Sequence, residues 1–222
     1  MNPVHTVIFC DFDGTVARRD VGNRLFHRFS GGHSAALIPD WKAGRISSRE
    51  ILETEAAMFK GDEAEVRTFL DEFELNAGFV EFARLCEVNS VPLIILSDGL
   101  DLYIRHILSR HNLSHIPFRA NTGRLENGGI KVDFPYPLGA CGRCGNCKGE
   151  RIAEYRAGIE GECRVAFIGD GLSDTCAIAQ ADLLFAKKDL KDYCINKNIP
   201  YYSFDTFVEV TSHLLDAEWL KQ

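Results

Sequence analysis

The sequence predicts an α/β fold, a parallel sheet flanked by helices and interrupted by one large helical insertion. Short β-branched or aliphatic runs recur at 6–10, 91–96, 164–168, 183–186 and 200–203, with helical patterns between them. Such alternation builds a parallel sheet, because parallel neighbours need a crossover long enough to hold a helix. Between Thr15 and Val91 lie 75 residues, 16–90, against roughly 30 for a complete βαβ unit. About half of that connection is surplus to the sheet.

The surplus reads as helical. Capping-box signatures stand at Ser47-Ser48-Arg49-Glu50 and Asp62-Glu63-Ala64-Glu65, with Gly31-Gly32, Gly44 and Gly61 as breaks. The expected division is a core of 1–16 and 79–222 with a helical cap at 17–78. The core resumes with an amphipathic helix carrying Phe79, Phe82, Ala83 and Cys86 on one face, behind Asn76 as N-cap. After the run at 91–96, residues 119–125 and 130–134 flank Asn127-Gly128-Gly129 like a β-hairpin. A further helical pattern covers 149–157.

Composition bounds the function. The chain has 222 residues, 45% apolar and 26% charged, enough for a real core and no case for disorder. A net charge of −7 repels nucleic acid and anionic membranes, so no nucleic-acid or membrane partner is expected. No apolar run exceeds four residues, as at 93–96, far below the roughly 20 residues that cross a bilayer. The N-terminus lacks the pattern of a signal peptide, so a cytoplasmic protein is expected; a monomer or homodimer is the expected assembly. In that compartment the eight cysteines are expected mostly as thiols.

Three strand-like runs end in polar motifs, where open α/β sheets bind ligands. The first ends Asp11-Phe12-Asp13-Gly14-Thr15, and the third ends Gly169-Asp170-Gly171-Leu172-Ser173-Asp174, with Ser173 placed to cap the following helix. Each alone reads equally as a turn. Together, Asp11, Asp13, Asp170 and Asp174 resemble an all-oxygen site for a hard cation such as Mg²⁺. The second ends Ser97-Asp98-Gly99 ahead of a helix, a hydroxyl with free N–H groups suited to phosphate. Lys148 precedes the helical pattern at 149–157.

In order and context, Asp11-Phe12-Asp13-Gly14-Thr15, Ser97, Lys148 and Gly169 to Asp174 resemble the four motifs of the haloacid dehalogenase superfamily. The helical insertion after the first motif resembles the phosphoserine-phosphatase-like branch. The segment ending Cys147-Lys148-Gly149 is similar to methionine-salvage and to phosphoethanolamine/phosphocholine phosphatases. The resemblance implies a Rossmann-like core with a cap of the C1 type and hydrolysis of a small phosphorylated metabolite. It makes Asp11 the nucleophile, forming an aspartyl-phosphate, and Asp13 the general acid and then base. Asp11, the Asp13 carbonyl and Asp170 would hold Mg²⁺ with Asp174 beside them, while Ser97 and Lys148 bind phosphoryl oxygens, with Asp98 and Gly99 in the same substrate-binding turn. In the cap, Asp20 stands where related enzymes place a glutamate that reads an ammonium group, and Arg45 and Arg49 are further substrate candidates.

The implied substrate is 2-hydroxy-3-keto-5-methylthiopentenyl-1-phosphate, with phosphoserine, phosphocholine, phosphoethanolamine or pyridoxal phosphate as alternatives. Transfer to an organic acceptor and a non-enzymatic phospho-acceptor switch also stand open. The acid Asp13 and the large cap argue against the switch. Cys141, Cys144 and Cys147 form C-x₂-C-x₂-C directly before Lys148. Free thiols, a disulfide and a structural Zn²⁺ are all compatible with that spacing, and Zn²⁺ would need Cys163 or a histidine as fourth ligand.

Overall fold

The computed structural model describes residues 4–221, so the start of the N-terminal segment read above lies outside the described residues. In chain order the elements are β1 (His5–Cys10), α1 (Val21–Phe29), α2 (Ile38–Lys42), α3 (Ser48–Met58), α4 (Glu63–Leu70), α5 (Phe79–Val88), β2 (Leu93–Leu100) and α6 (Asp101–Arg110). There follow β3 (Phe118–Glu126), β4 (Gly129–Asp133), α7 (Lys148–Ala157), β5 (Cys163–Gly169), β6 (Leu183–Ala186), α8 (Lys188–Lys197), β7 (Tyr202–Ser203) and α9 (Phe207–Asp216).

One sheet runs in the order β4-β3-β2-β1-β5-β6-β7. All its pairs are parallel except β3 with β4. The predicted hairpin exists, but its first strand is also a member of the main sheet, paired to β2 through Ile95 and Phe118. Side chains of β1 alternate between two cores, as a strand covered on both faces requires. Ile8 and Cys10 join Phe82, Ile104 and Phe207 on one face, while Val7 and Phe9 join Ile152 and Leu190 on the other. No helix among the described residues is long and apolar enough to cross a membrane.

Helices α1 to α4 occupy the surplus connection. Both capping boxes form, Ser47 with Glu50 ahead of α3 and Asp62 with Glu65 ahead of α4. The chain leaves and rejoins the sheet at one neck, where Ala17 and Leu75 face each other in an antiparallel bridge and Asn76 N donates to Val16 O at 2.8 Å. Asn76 is not the N-cap of α5. Gly78 holds that position, while the Asn76 amide donates to Thr15 O and Asp205 O, tying the neck to the loop before α9. The predicted face of α5, Phe79, Phe82, Ala83 and Cys86, is buried as expected.

Candidate active site

β1 and β5 end beside the middle of β2, so Asp11 and Asp170 emerge next to Ser97 where the strand order reverses around β1, and β2 itself runs on through Ser97-Asp98-Gly99 to Leu100 instead of ending there as expected. After β1 the chain makes a wide turn over Phe12–Val16, closed by Val16 N to Asp11 O at 3.3 Å and Ala17 N to Phe12 O at 2.9 Å. Gly14 in this turn has φ +78°, and a Cβ there would lie 2.3 Å from Asp170 Oδ2. Only glycine meets both demands.

Lys148, the first residue of α7, is fully buried with Nζ donating to both Asp11 and Asp174. Burial opposes its charge, yet the two carboxylates outweigh that and hold its pKa above the usual lysine range. Asp174 uses its other oxygen on the backbone, Oδ2 accepting from Asp170 N and Gly171 N, both at 2.9 Å. It therefore braces the turn after β5, and the following helical segment starts behind Gly171 with Ser173 inside it, not as the expected cap. Ser173 Oγ instead lies 3.4 Å from Lys148 Nζ. Asp170 accepts from Thr15 Oγ1 at 3.3 Å and from Lys188 Nζ at 2.7 Å.

Asp11, Asp170 and Asp174 each place a carboxylate oxygen within 4.8 Å of the others. Burial first, then mutual repulsion, pushes the Asp11 carboxyl well above its usual range despite Lys148. The cluster is short of positive charge, and its hard oxygen donors fit Mg²⁺.

The Asp13 carboxylate stands outside this group, which leaves only its carbonyl as a candidate metal ligand. Its Oδ1 accepts from Val21 N (2.9 Å) and Gly22 N (3.0 Å) at the start of α1, and its Oδ2 from Tyr103 OH (2.8 Å). Ser97 Oγ lies 3.4 Å from the same Oδ2. Burial, helped by the charge of Asp20, raises the Asp13 pKa to about 6 against those hydrogen bonds. Sequence reasoning missed Tyr103, which reads there as one more bulky residue on the apolar stripe of α6 with Ile104, Ile107 and Leu108. The one local signal was Gly99, where a Cβ would collide with the Tyr103 hydroxyl at 1.6 Å.

The other candidates divide. Gly99 N donates to Ser97 Oγ at 3.0 Å, fixing the hydroxyl beside Asp13. Asp98 lines the cavity described below, but its Oδ1 accepts from Asn146 N at 2.8 Å. Asn146, fully buried, also donates to Ser97 O and Arg119 O, so this pair pins the cysteine loop onto β2. Asp20 caps α1 through Asn23 N at 2.8 Å and faces the cavity. Arg49 does not reach it. Its guanidinium donates to Tyr136 O at 2.7 Å and stacks over Phe134, clamping α3 to the segment after β4. Arg45 is exposed and paired with Asp40.

A cavity of about 470 Å³ opens over Asp11, Asp13 and Ser97, walled by Phe26, Ile38, Trp41, Ile51, Leu52 and Glu55 from the insertion. Glu55 is 4% exposed, and burial, with the charge of Asp20 adding, raises its pKa to about 8. A carboxyl raised in the folded state contributes its full stability below the unfolded pKa and loses it as pH climbs through the folded one. Glu55→Gln, which cannot ionise, is therefore expected to gain on the wild type between about pH 5 and pH 8 by on the order of a few kcal/mol. Urea unfolding of both proteins across that range checks this. A constant offset would mean that Glu55 is ionised in the folded protein.

The cysteine loop reaches the site from behind Lys148. Cys141, Cys144 and Cys147 meet Cys176, all four sulfurs within 4.8 Å of one another. Cys163 is not the fourth member, because it starts β5 beside His5, at the opposite end of the strands from Asp11. No histidine joins the group among the described residues.

Comparison with known proteins gives the family. The haloacid dehalogenase-like hydrolase family matches residues 8–179, which carry all four motifs. The chain belongs to this family. As a haloacid dehalogenase-like hydrolase of the phosphatase type, it is 30% identical to a 2-hydroxy-3-keto-5-methylthiopentenyl-1-phosphate phosphatase of Geobacillus thermodenitrificans over 96% of each chain. It is also 29% identical to the polyol phosphate phosphatase PYP1 of Saccharomyces cerevisiae, covering 95% of this chain and 93% of that protein. Among solved structures, a phospho-aspartyl intermediate analogue of phosphoserine phosphatase superimposes with a TM-score of 0.72 at 17% identity, over 95% of this hydrolase and 99% of that chain. At that identity the likeness shows a shared fold.

Proposed function

We propose that this phosphatase hydrolyses a small, uncharged-tailed phosphomonoester with Mg²⁺ and a covalent phosphoryl intermediate on Asp11. The observation that carries the reading is the pairing of two differently tuned carboxyls: Asp11 against buried Lys148, and Asp13 titrating near neutral pH under Tyr103. An Asp11 oxygen attacks phosphorus while the ester P–O bond breaks, and Asp13 gives its proton to the departing alkoxide. Asp13 then takes a proton from the water that attacks the aspartyl-phosphate, releasing inorganic phosphate and restoring both carboxyls. Lys148 and Ser97 balance charge on the phosphoryl oxygens. Asp11, the Asp13 carbonyl and Asp170 would hold the Mg²⁺, with Asp174 fixing the turn around them. When bound, the ion supplies charge neutralisation between the anionic nucleophile and the phosphate. The insertion at 17–78 acts as a cap that keeps bulk water from the first step.

The wall of the cavity points to the leaving group. A leaving group with its own carboxylate, such as serine, needs a free cation. Lys42 and Lys188, the cationic residues lining the cavity, are held by Asp189 at 2.6 Å and by Asp170 at 2.7 Å. Phe26, Trp41, Ile51 and Leu52 suit an apolar end, with Glu55 to hydrogen-bond a hydroxyl or carbonyl. 2-Hydroxy-3-keto-5-methylthiopentenyl-1-phosphate and polyol phosphates meet that description. A second reading, an ammonium head group, rests on Glu55 and Asp20 lying in the same aromatic-walled cavity.

A panel of phosphate esters separates these. Neutral-tailed esters are expected to exceed phosphoserine in kcat/KM by about tenfold or more. Glu55→Gln should change neutral substrates by only a few-fold while costing about 100-fold on phosphocholine if the ammonium reading holds. Preference for phosphoserine would overturn the assignment, and release of free phosphate in water alone excludes an obligatory acceptor.

A further inference from the structure

From the cysteine cluster we infer a second metal site, a tetrahedral Zn²⁺ centre of Cys141, Cys144, Cys147 and Cys176 that fastens the loop before Lys148 to the segment after Asp174. A four-thiolate tetrahedron with Zn–S near 2.3 Å sets every sulfur pair about 3.8 Å apart. All pairs in this cluster lie within 4.8 Å, so small side-chain adjustments close the site. A disulfide would draw one pair together and leave the other two sulfurs without a reason to converge. The donor set is wholly soft, unlike the oxygen cluster of Asp11, Asp170 and Asp174, so the two sites select different ions.

The backbone is already arranged around the sulfurs. Cys144 N–H points at Cys141 Sγ at 3.5 Å, and Cys147 is the N-cap of α7, where the helix end favours a thiolate. Cys144 and Cys147 are buried, Cys176 is half-buried and Cys141 is exposed, which leaves one open side for the ion to enter. Binding displaces the thiol protons to solvent, giving four Zn–S bonds and no change in oxidation state.

The consequence lies in what the four ligands join. Cys147 precedes Lys148 directly, and Cys176 follows Asp174 by two residues. The two segments also touch at Gly149, where a Cβ would meet Cys176 O at 2.2 Å. On its outer side the loop carries Arg143, which donates to Trp41 O, while Ser48 N donates to Arg143 O at 2.8 Å. One ion would thus hold Lys148 against Asp174 and set the resting place of two cap residues. These cysteines position the site and touch no substrate.

Elemental analysis of full-length protein, grown with added zinc and purified without chelator, is expected to find about one zinc per chain. Cys176→Ala should lower zinc content to a tenth or less, whereas Cys163→Ala should retain it. In case Cys176→Ala does not fold, loading the wild-type protein with Co²⁺ gives an independent reading through thiolate charge-transfer and tetrahedral visible bands. Binding of vanadate, read by its inhibition constant, should weaken about tenfold in protein stripped of zinc and recover on adding zinc back. Absence of zinc with all eight thiols reactive, six thiols reactive after a disulfide has formed, or full zinc content in Cys176→Ala would each overturn the site. Because metal content is measured without turnover, failure here stands apart from failure of the phosphatase reading.

Discussion

Asp11→Asn is expected to lower phosphate release by about four orders of magnitude or more, while leaving the protein folded. An amide cannot supply the anionic oxygen that bonds to phosphorus, and no other carboxylate replaces it. Asp170 is held by Thr15 and Lys188, Asp174 by Lys148 and two backbone N–H groups, and Asp13 by Tyr103 and the start of α1. Folding should survive because Lys148 keeps Asp174 as a partner when Asp11 loses its charge. Removal of Mg²⁺ with chelator should silence the wild type to a similar degree and reverse on adding the ion back. Measured release from the pure variant together with its melting temperature decides the matter. Retained turnover would exclude the covalent route, and loss of folding would assign Asp11 a structural part.

The second large effect concerns Asp13. Asp13→Asn should cost about 10²–10⁴-fold on alkyl phosphates and far less on aryl phosphates, whose leaving groups depart without full protonation. The sign of the pH dependence follows from its raised pKa. Below about 6 the carboxyl carries the proton that the alkoxide needs, and above it the carboxylate can accept one from water. The wild type on alkyl esters should therefore lose kcat/KM as pH rises through a limb near 6, and the variant should lose that limb. Tyr103→Phe removes a hydrogen bond that favours the carboxylate, so it should move the limb upward. Equal losses on alkyl and aryl esters would remove Asp13 from proton transfer.

The parts legible in the sequence were those whose signal is local. Strand ends carry their own turns, so Asp11 and Asp170 are legible by counting, and both capping boxes are complete within four residues. Residues defined by contacts between distant segments were harder to see. Tyr103 reaches Asp13 across 90 residues of chain and Asn146 reaches Ser97 across 49. Arg49 was misread because a cationic residue on a cap helix looks the same whether it faces a cavity or the Tyr136 carbonyl. Cys176 could have been found. The family resemblance puts Lys148 and Asp174 in one site, and a cysteine adjoining the first then lies close to one two residues past the second.

The neck of the insertion bears on how such a chain can change over generations. Because residues 18 to 74 leave and return at Ala17 and Leu75, lengthening or shortening them shifts no strand of the sheet. The loop-closure entropy involved grows slowly with length. Inheritance can then act on two parts at different speeds. The cluster of Asp11, Lys148 and Asp174 at the strand ends is locked by charges that fit one arrangement, whereas Phe26, Leu52 and Glu55 form a cavity wall that can change without disturbing it. The cysteine loop limits that freedom, since Arg143 grips the insertion at Trp41 and Ser48. Drift should run fastest in the parts of the insertion farthest from that grip.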